Sequence, residues 1–114
     1  MITYYTKEGR FNNRNYYEIP ISELHRKNKP ALIEITKKVK YEAYYINGKL
    51  HRLDGPAAIQ TFYFNNKSST EKIIDYWVND KQLNTNEVEA WIKDNNIDLK
   101  TKAGQIMFTV KFFK

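Results

Sequence analysis

At 114 residues, the chain has room for one compact domain, which excludes a two-domain enzyme. Hydrophobic residues make up 41% and charged residues 28%, a balance that supports a buried core under a polar surface and excludes a disordered chain. Cysteine is absent, so disulfides, thiolate zinc sites and cysteine nucleophiles are excluded together, and no apolar run approaches the ~18 residues of a membrane helix, so no membrane partner is expected.

The apolar material is aromatic-rich, with nine Tyr, six Phe and two Trp. Such residues fit pleated, half-buried surfaces best, so strand is favoured over helix. The opening segment, Met1 to Arg10, lacks the apolar stretch of a signal peptide, and the expectation is a cytoplasmic protein. The net charge is +6 and lopsided: residues 1–56 carry eleven basic against six acidic side chains, residues 57–114 eight against seven. A basic front half points to an acidic or polyanionic partner, whereas an even spread of lysine would only keep the fold in solution. Within it Arg10, Arg14, Arg26, Lys29, Lys38 and Lys40 interleave with Tyr16 and Tyr17. Rings and guanidiniums in this pattern suit a phosphate backbone with stacked bases, or the acidic surface of a protein. These eight are the expected partner-binding residues.

Further along, the chain repeats itself. Glu23 to Ile33 reads ELHRKNKPALI and Lys49 to Ile59 reads KLHRLDGPAAI, so Leu, His, Arg, Pro, Ala and Ile recur in register at an offset of 26 residues. Tyr16-Tyr17 and Tyr44-Tyr45 precede the two copies, and YWVNDK from Tyr76 echoes YYINGK from Tyr44 as a third, decayed copy. The expected units are about residues 16–33, 44–64 and 76–98. Asn47-Gly48 is a tight-turn pair because both residues tolerate positive φ, and Asp54-Gly55-Pro56 is a second turn. Each unit reads as strand, turn, short extended piece, turn, strand.

Between the copies, Ala31, Ile33, Ile35, Val39, Tyr41, Ala43 and Tyr45 oppose Glu34, Thr36, Lys38, Lys40 and Glu42. That predicts a half-solvated antiparallel strand, bent or turned near Thr36-Lys37-Lys38. Residues 57–64 and 72–78 flank a polar loop and predict a hairpin. Asn84 or Thr85 can cap a helix over residues 85–95, with Glu87 and Glu89 near its positive end and Val88, Trp91 and Ile92 as its apolar stripe. That helix is placed to cap the stacked repeats. In residues 105–113, Ile106, Phe108, Val110 and Phe112 alternate and predict a final edge strand. The predicted fold class is mainly β (α+β): a single domain over residues 1–114, with an antiparallel sheet of successive hairpin repeats and one short helix near the C-terminus capping the sheet.

The segment YYINGKLHRLDGPA, Tyr44 to Ala57, resembles the WxxNGKxHRxDGPA unit of MORN-like repeat proteins, common in bacteriophages and large DNA viruses. YWVNDKQLNTNEVEAWIKDNNID, Tyr76 to Asp98, is similar to the terminal unit of those proteins, in which a last strand runs into a short helix. The resemblance implies an antiparallel sheet of hairpins, a phage or viral origin and an interaction role, and it supplies no catalytic residue. In the first copy Asn28-Lys29 stands in place of Asp-Gly, and the last copy lacks His-Arg.

His25-Arg26 and His51-Arg52 contain the only histidines and hold equivalent repeat positions. Two imidazoles beside two guanidiniums offer the acid, base and phosphate clamp of a small metal-independent nuclease. The structural alternative is that each pair fixes its own unit, Arg52 reaching Asp54 or backbone carbonyls and His51 packing on Tyr44 or Tyr45. Recurrence with the repeat favours it, so His25, Arg26, His51, Arg52, Asp54, Gly55 and Pro56 are read as repeat-building. No HxH, HExxH or acidic loop offers a metal site, the glycines lack phosphate-loop spacing and GxSxG is missing, so no metal, cofactor or catalytic residue is expected. The expected function is a non-enzymatic phage or viral interaction protein in the host cytoplasm. It binds a host protein or protein–nucleic acid complex, as an inhibitor of a host enzyme or antiviral defence complex. RNA or DNA binding is the alternative, and a nuclease using His25 and His51 the third reading.

Overall fold

The computed structural model describes residues 1–113. In chain order the elements are β1 Ile2–Thr6, β2 Gly9–Asn13, β3 Leu32–Ile35, β4 Val39–Ala43, β5 Tyr45–Ile46, β6 Lys49–Leu50, β7 Ala58–Phe64, β8 Ser69–Asp75, β9 Trp77–Val78, β10 Lys81–Gln82, α1 Thr85–Asp94 and α2 Lys102–Phe112. Two single-turn 3-10 segments, Tyr16–Glu18 and Ile21–Glu23, lie between β2 and β3. Six strands form one antiparallel sheet in the order β2-β1-β3-β4-β7-β8, while β5 pairs with β6 and β9 with β10. The architecture is the predicted sheet of successive hairpins.

The hairpins form where the chain can turn left-handed. Asn47 and Gly48 have φ of 51° and 77°, and Asn79 and Asp80 have 48° and 67°. Positive φ at both central positions gives a turn whose twist matches antiparallel strands, and Asn, Asp and Gly tolerate it best. At Gly48 glycine is required twice over, because a Cβ there would overlap the Ser22 carbonyl. At the equivalent position in the third copy, the Asp80 carboxylate instead accepts a hydrogen bond from the Leu50 N–H at 2.7 Å.

Backbone hydrogen bonds define the repeat more closely than the sequence does. The His25 N–H donates to the Tyr5 carbonyl (2.9 Å), the His51 N–H to that of Tyr44 (3.0 Å) and the Leu83 N–H to that of Tyr76 (2.9 Å). Tyr5, Tyr44 and Tyr76 are therefore equivalent, and the expected first unit is corrected. It opens on β1 with Tyr5-Thr6, not at residue 16 with Tyr16-Tyr17. Thr6 bridges to Leu24 as Tyr45 pairs with Leu50. Between Thr6 and Leu24 a long excursion holding β2, Tyr16 and Tyr17 replaces the short turn of the second unit.

That excursion folds over one face of the sheet, where Ile19, Leu24 and the flanking Ile21 pack with Ile2, Leu32, Ala43 and Tyr45. The face assignment of the 31–46 segment changes in consequence of the turn at residues 36–38. Leu32 pairs with Ala43 and Glu34 with Tyr41, so Leu32, and not Ile33, shares the core face with Ala43. Ile33 and Ile35 lie on the other face, and Ile35 is exposed. A turn between β3 and β4 resets the period-2 alternation that a single strand would keep.

The second cluster, Tyr76, Val78, Leu83, Val88, Leu99 and Phe108, closes the far end of the array under the two helices. A fully buried side chain such as Leu24 or Phe108 contributes about 1.5–3 kcal/mol. The Asn84 side chain caps α1 by accepting the Glu87 N–H at 2.9 Å. Of residues 105–113, expected as a strand, 105–112 instead belong to α2 and Phe113 is its C-cap. Thr101 Oγ1 accepts the Gly104 N–H at 3.0 Å, capping the helix. Gly104 and Phe108 are buried, Phe112 is half-buried one turn on, and a Cβ on Gly104 would collide with the Asp98 carbonyl.

Gly48→Ala is predicted to destabilise the fold by more than about 2 kcal/mol, since left-handed strain of ~1–2 kcal/mol adds to displacement of the Ser22 backbone. Urea unfolding of the variant measures it, and a loss under about 0.5 kcal/mol, the range of neutral surface changes, contradicts the close approach.

Candidate functional site

A two-residue turn leaves its own N–H groups pointing out of the hairpin, and here the preceding unit accepts them. Asn47 N–H donates to His25 Nδ1 at 3.0 Å, and Gly48 N–H to the Leu24 carbonyl at 2.8 Å. One unit on, Asn79 N–H donates to His51 Nδ1 at 3.1 Å, and Asp80 N–H to the Leu50 carbonyl at 2.8 Å. The neighbouring arginine backbones complete each junction: Arg26 N–H donates to the Tyr45 carbonyl (3.1 Å) and Arg52 N–H to that of Trp77 (3.2 Å). The expectation that each histidine contacts only its own unit is corrected, since the imidazole joins its unit to the next. Because Nδ1 accepts, the proton of the neutral ring sits on Nε2. Burial pushes the His51 pKa below its ordinary value, in keeping with an unprotonated Nδ1.

Each arginine lies on the tyrosine of its own unit. The Arg26 guanidinium sits 3.7 Å from the centroid of the Tyr5 ring and that of Arg52 sits 3.9 Å from the Tyr44 ring, a cation–π contact. The cover on Tyr44 expected from His51 thus comes from Arg52. Arg52 Nε donates to Asp54 Oδ1 at 2.7 Å and Nη1 to the Pro56 carbonyl at 2.9 Å, the predicted Asp54 contact. Burial raises the Asp54 carboxyl, yet the Arg52 hydrogen bond and charge, aided by Lys100, hold it below the usual carboxylate range. Gly55 leaves room for this guanidinium, since a Cβ there would approach Arg52 Cζ to 3.0 Å. In the first unit Asn28 and Lys29 replace Asp54 and Gly55, and Arg26 retains the Nη1 bond to the Pro30 carbonyl at 3.2 Å.

Between the two junctions an open cleft of about 310 Å³ is lined by Arg26, Lys27, His51, Arg52 and Asp54 over Ile46 and Leu53. His51 reaches this cleft and His25 is not among its lining residues. Each Nδ1 is already engaged by a backbone N–H of the following unit, and of the two histidines only His51 lines the cleft.

The eight expected partner-binding residues are dispersed. Arg10 is exposed on β2, in register with Tyr5 and hence on the same sheet face. Arg14, Tyr16 and Tyr17 cluster on the excursion, where the Asn15 side chain accepts the Tyr17 N–H at 3.0 Å. The two rings meet edge to face at 6.4 Å, and Tyr17 is 94% exposed. Arg26 is occupied by Tyr5 and Pro30, and Lys40 lies 3.8 Å from Glu42. Lys29 precedes β3 while Lys38 follows it, so the two stand at opposite ends of that strand.

A further surface went unread in the sequence. On α2 Ile106, Met107 and Val110 are 55%, 49% and 72% exposed, and with Trp91 and Lys111 they line an apolar groove of about 400 Å³. The strand reading merges Ile106 and Val110 with Phe108 on one face; the helix turns Phe108 inward and the other two outward. The signals for it were the Thr101 cap and the four-residue spacing of Gly104, Phe108 and Phe112. Comparison with known proteins gives no match to a family model, a curated protein or a solved structure.

The His51 geometry predicts an acid-sensitive fold. The unfolded chain takes up the His51 proton near ~6.5, whereas the folded chain resists it. The contribution is therefore complete above pH ~6.5 and is lost as pH falls from ~6.5 toward the depressed folded value. Thermal melts between about pH 8 and about pH 5 should show this decline. In His51→Ala the decline is shallower, and near pH ~8 the variant is less stable by about 0.5–1.5 kcal/mol for the lost Asn79 hydrogen bond, a gap that narrows as pH falls. Equal slopes in the two proteins would contradict the assignment.

Proposed function

We propose that this chain is a non-enzymatic interaction protein that docks on a protein partner through the apolar groove of α2. The observation that carries the reading is the outward stripe of Ile106, Met107 and Val110 beside Trp91. Contiguous exposed apolar surface on a small soluble domain marks a protein-binding site. α2 carries Lys102 and Lys111 and no carboxylate, and the chain is +6 overall, so the fitting occupant is an apolar segment flanked by acidic residues. The partner class is a host protein, in line with the phage and viral repeat units that Tyr44 to Ala57 resembles, and inhibition follows if the occupied surface belongs to a host enzyme or defence complex. The non-enzymatic part draws on the histidines, both engaged in joining repeats. A second reading, nucleic-acid binding, draws on the exposed Arg14, Tyr16 and Tyr17.

Affinity capture from host lysate, with and without nuclease, tests both. Val110→Glu is predicted to weaken nuclease-resistant capture at least tenfold, about 1.4 kcal/mol, while Arg14→Glu combined with Tyr17→Ala leaves it intact. Capture that is lost on nuclease treatment, and sensitive to Arg14 and Tyr17 but not to Val110, replaces the first reading with the second.

A further inference from the structure

We infer that the cleft between the two His-Arg junctions binds a phosphate monoester carried on a small molecule, of about the size of a nucleoside monophosphate. The site is independent of the α2 groove and of the reading built on it. Its walls are rich in donors. Arg26, Lys27 and Arg52 supply three cations, and the one carboxylate, Asp54, is already held by Arg52 at 2.7 Å and by Lys100 at 3.7 Å. His51 adds a neutral donor, because its Nδ1 is engaged by the Asn79 N–H and its proton must reside on Nε2.

The donors are also ordered before any ligand arrives. Arg52 is held by Tyr44, Asp54 and the Pro56 carbonyl, and Arg26 by Tyr5 and the Pro30 carbonyl. Among the described residues Arg26 keeps Nε and Nη2, and Arg52 keeps Nη2, without a protein acceptor. A planar guanidinium fixed on a ring loses little freedom on meeting a phosphate and presents paired N–H groups to its oxygens. Ile46 and Leu53 give the cleft an apolar floor, and about 310 Å³ lies at the small end of ligand pockets. Charge alone accounts for an anion; the floor and the volume account for the organic group that carries it.

The repeat explains why the site is single. It needs one His-Arg junction on each side, and the third copy has Leu83-Asn84 where the others have His-Arg.

Titration of the intact protein with a nucleoside 5′-monophosphate at fixed ionic strength, followed by calorimetry and amide NMR, tests this. The expected dissociation constant is below about 1 mM, with shifts confined to residues 26–28, 44–46 and 51–54 and to Gln105, and with the parent nucleoside failing to bind at the same concentration. Arg52 variants are open to unfolding, so the diagnostic change is Lys27→Glu, on the exposed loop, which is expected to weaken binding at least tenfold. Lys93→Glu on α1 and Val110→Glu on α2 leave it unchanged. The inference is overturned if the nucleoside binds as well as its monophosphate, if Lys93→Glu weakens binding as much as Lys27→Glu, or if an oligonucleotide without a terminal phosphate competes equally.

Discussion

A tight hairpin turn with two left-handed residues satisfies its strands and leaves its own two N–H groups unpaired, and a hydrogen bond that engages such a group contributes about 0.5–1.5 kcal/mol net. In this protein each unit lends the next its acceptors: a leucine carbonyl and a histidine Nδ1 at Leu24 and His25, then again at Leu50 and His51. The short β5–β6 and β9–β10 hairpins are thereby pinned against their predecessors, and the long strands that flank them fall into antiparallel register. The histidine is suited to this because its ring presents an sp² nitrogen at a fixed distance from the backbone and, near neutral pH, leaves that nitrogen unprotonated.

The arginine beside each histidine performs a different task. Its backbone N–H adds a bond to the next unit, while its side chain turns back over the tyrosine of its own unit and reaches the proline carbonyl at the end of the following loop. The second unit adds Asp54 and Gly55, and its guanidinium is more tightly held. The first unit, with Asn28 and Lys29 in their place, leaves more of its guanidinium free. Decay of the repeat therefore creates a difference between junctions, and the cleft between them inherits ordered arginines whose donors are not all spent on the fold.

The two ends of the array are finished differently. At the front, β1 is covered on its edge by β2, and the excursion that follows drops Ile19, Ile21 and Leu24 onto the sheet. At the rear, the third hairpin runs into α1 and α2, which enclose Tyr76, Val78 and Leu83. α2 carries apolar residues on more than its inward side, since Ile106, Met107 and Val110 are exposed. Its inward Phe108 and Phe112 pack on Trp91 of α1, and the outward Ile106, Met107 and Val110 form the surface proposed for a partner.

The repeated Leu-His-Arg and Pro-Ala-Ile, the Asn-Gly turn and the capped stripe of Val88, Trp91 and Ile92 were legible in the sequence because each acts over a few residues, through turn geometry, capping or periodicity. They determined an antiparallel sheet of hairpins ending in a helix, and the structural use of His25, Arg26, His51 and Arg52. What only the tertiary structure decided depends on contacts between distant segments. Tyr5, and not Tyr16, is the first-unit tyrosine because the backbone bond from the His25 N–H selects it across an insertion. Each imidazole serves the following unit because its acceptor geometry meets an N–H 22 or 28 residues away. Residues 105–113 alternate well enough for a strand, yet the Thr101 cap, the close approach of Gly104 to Asp98 and the aromatic pocket around Phe108 favour a helix. That choice, made by packing and not by local pattern, turns Ile106, Met107 and Val110 toward solvent.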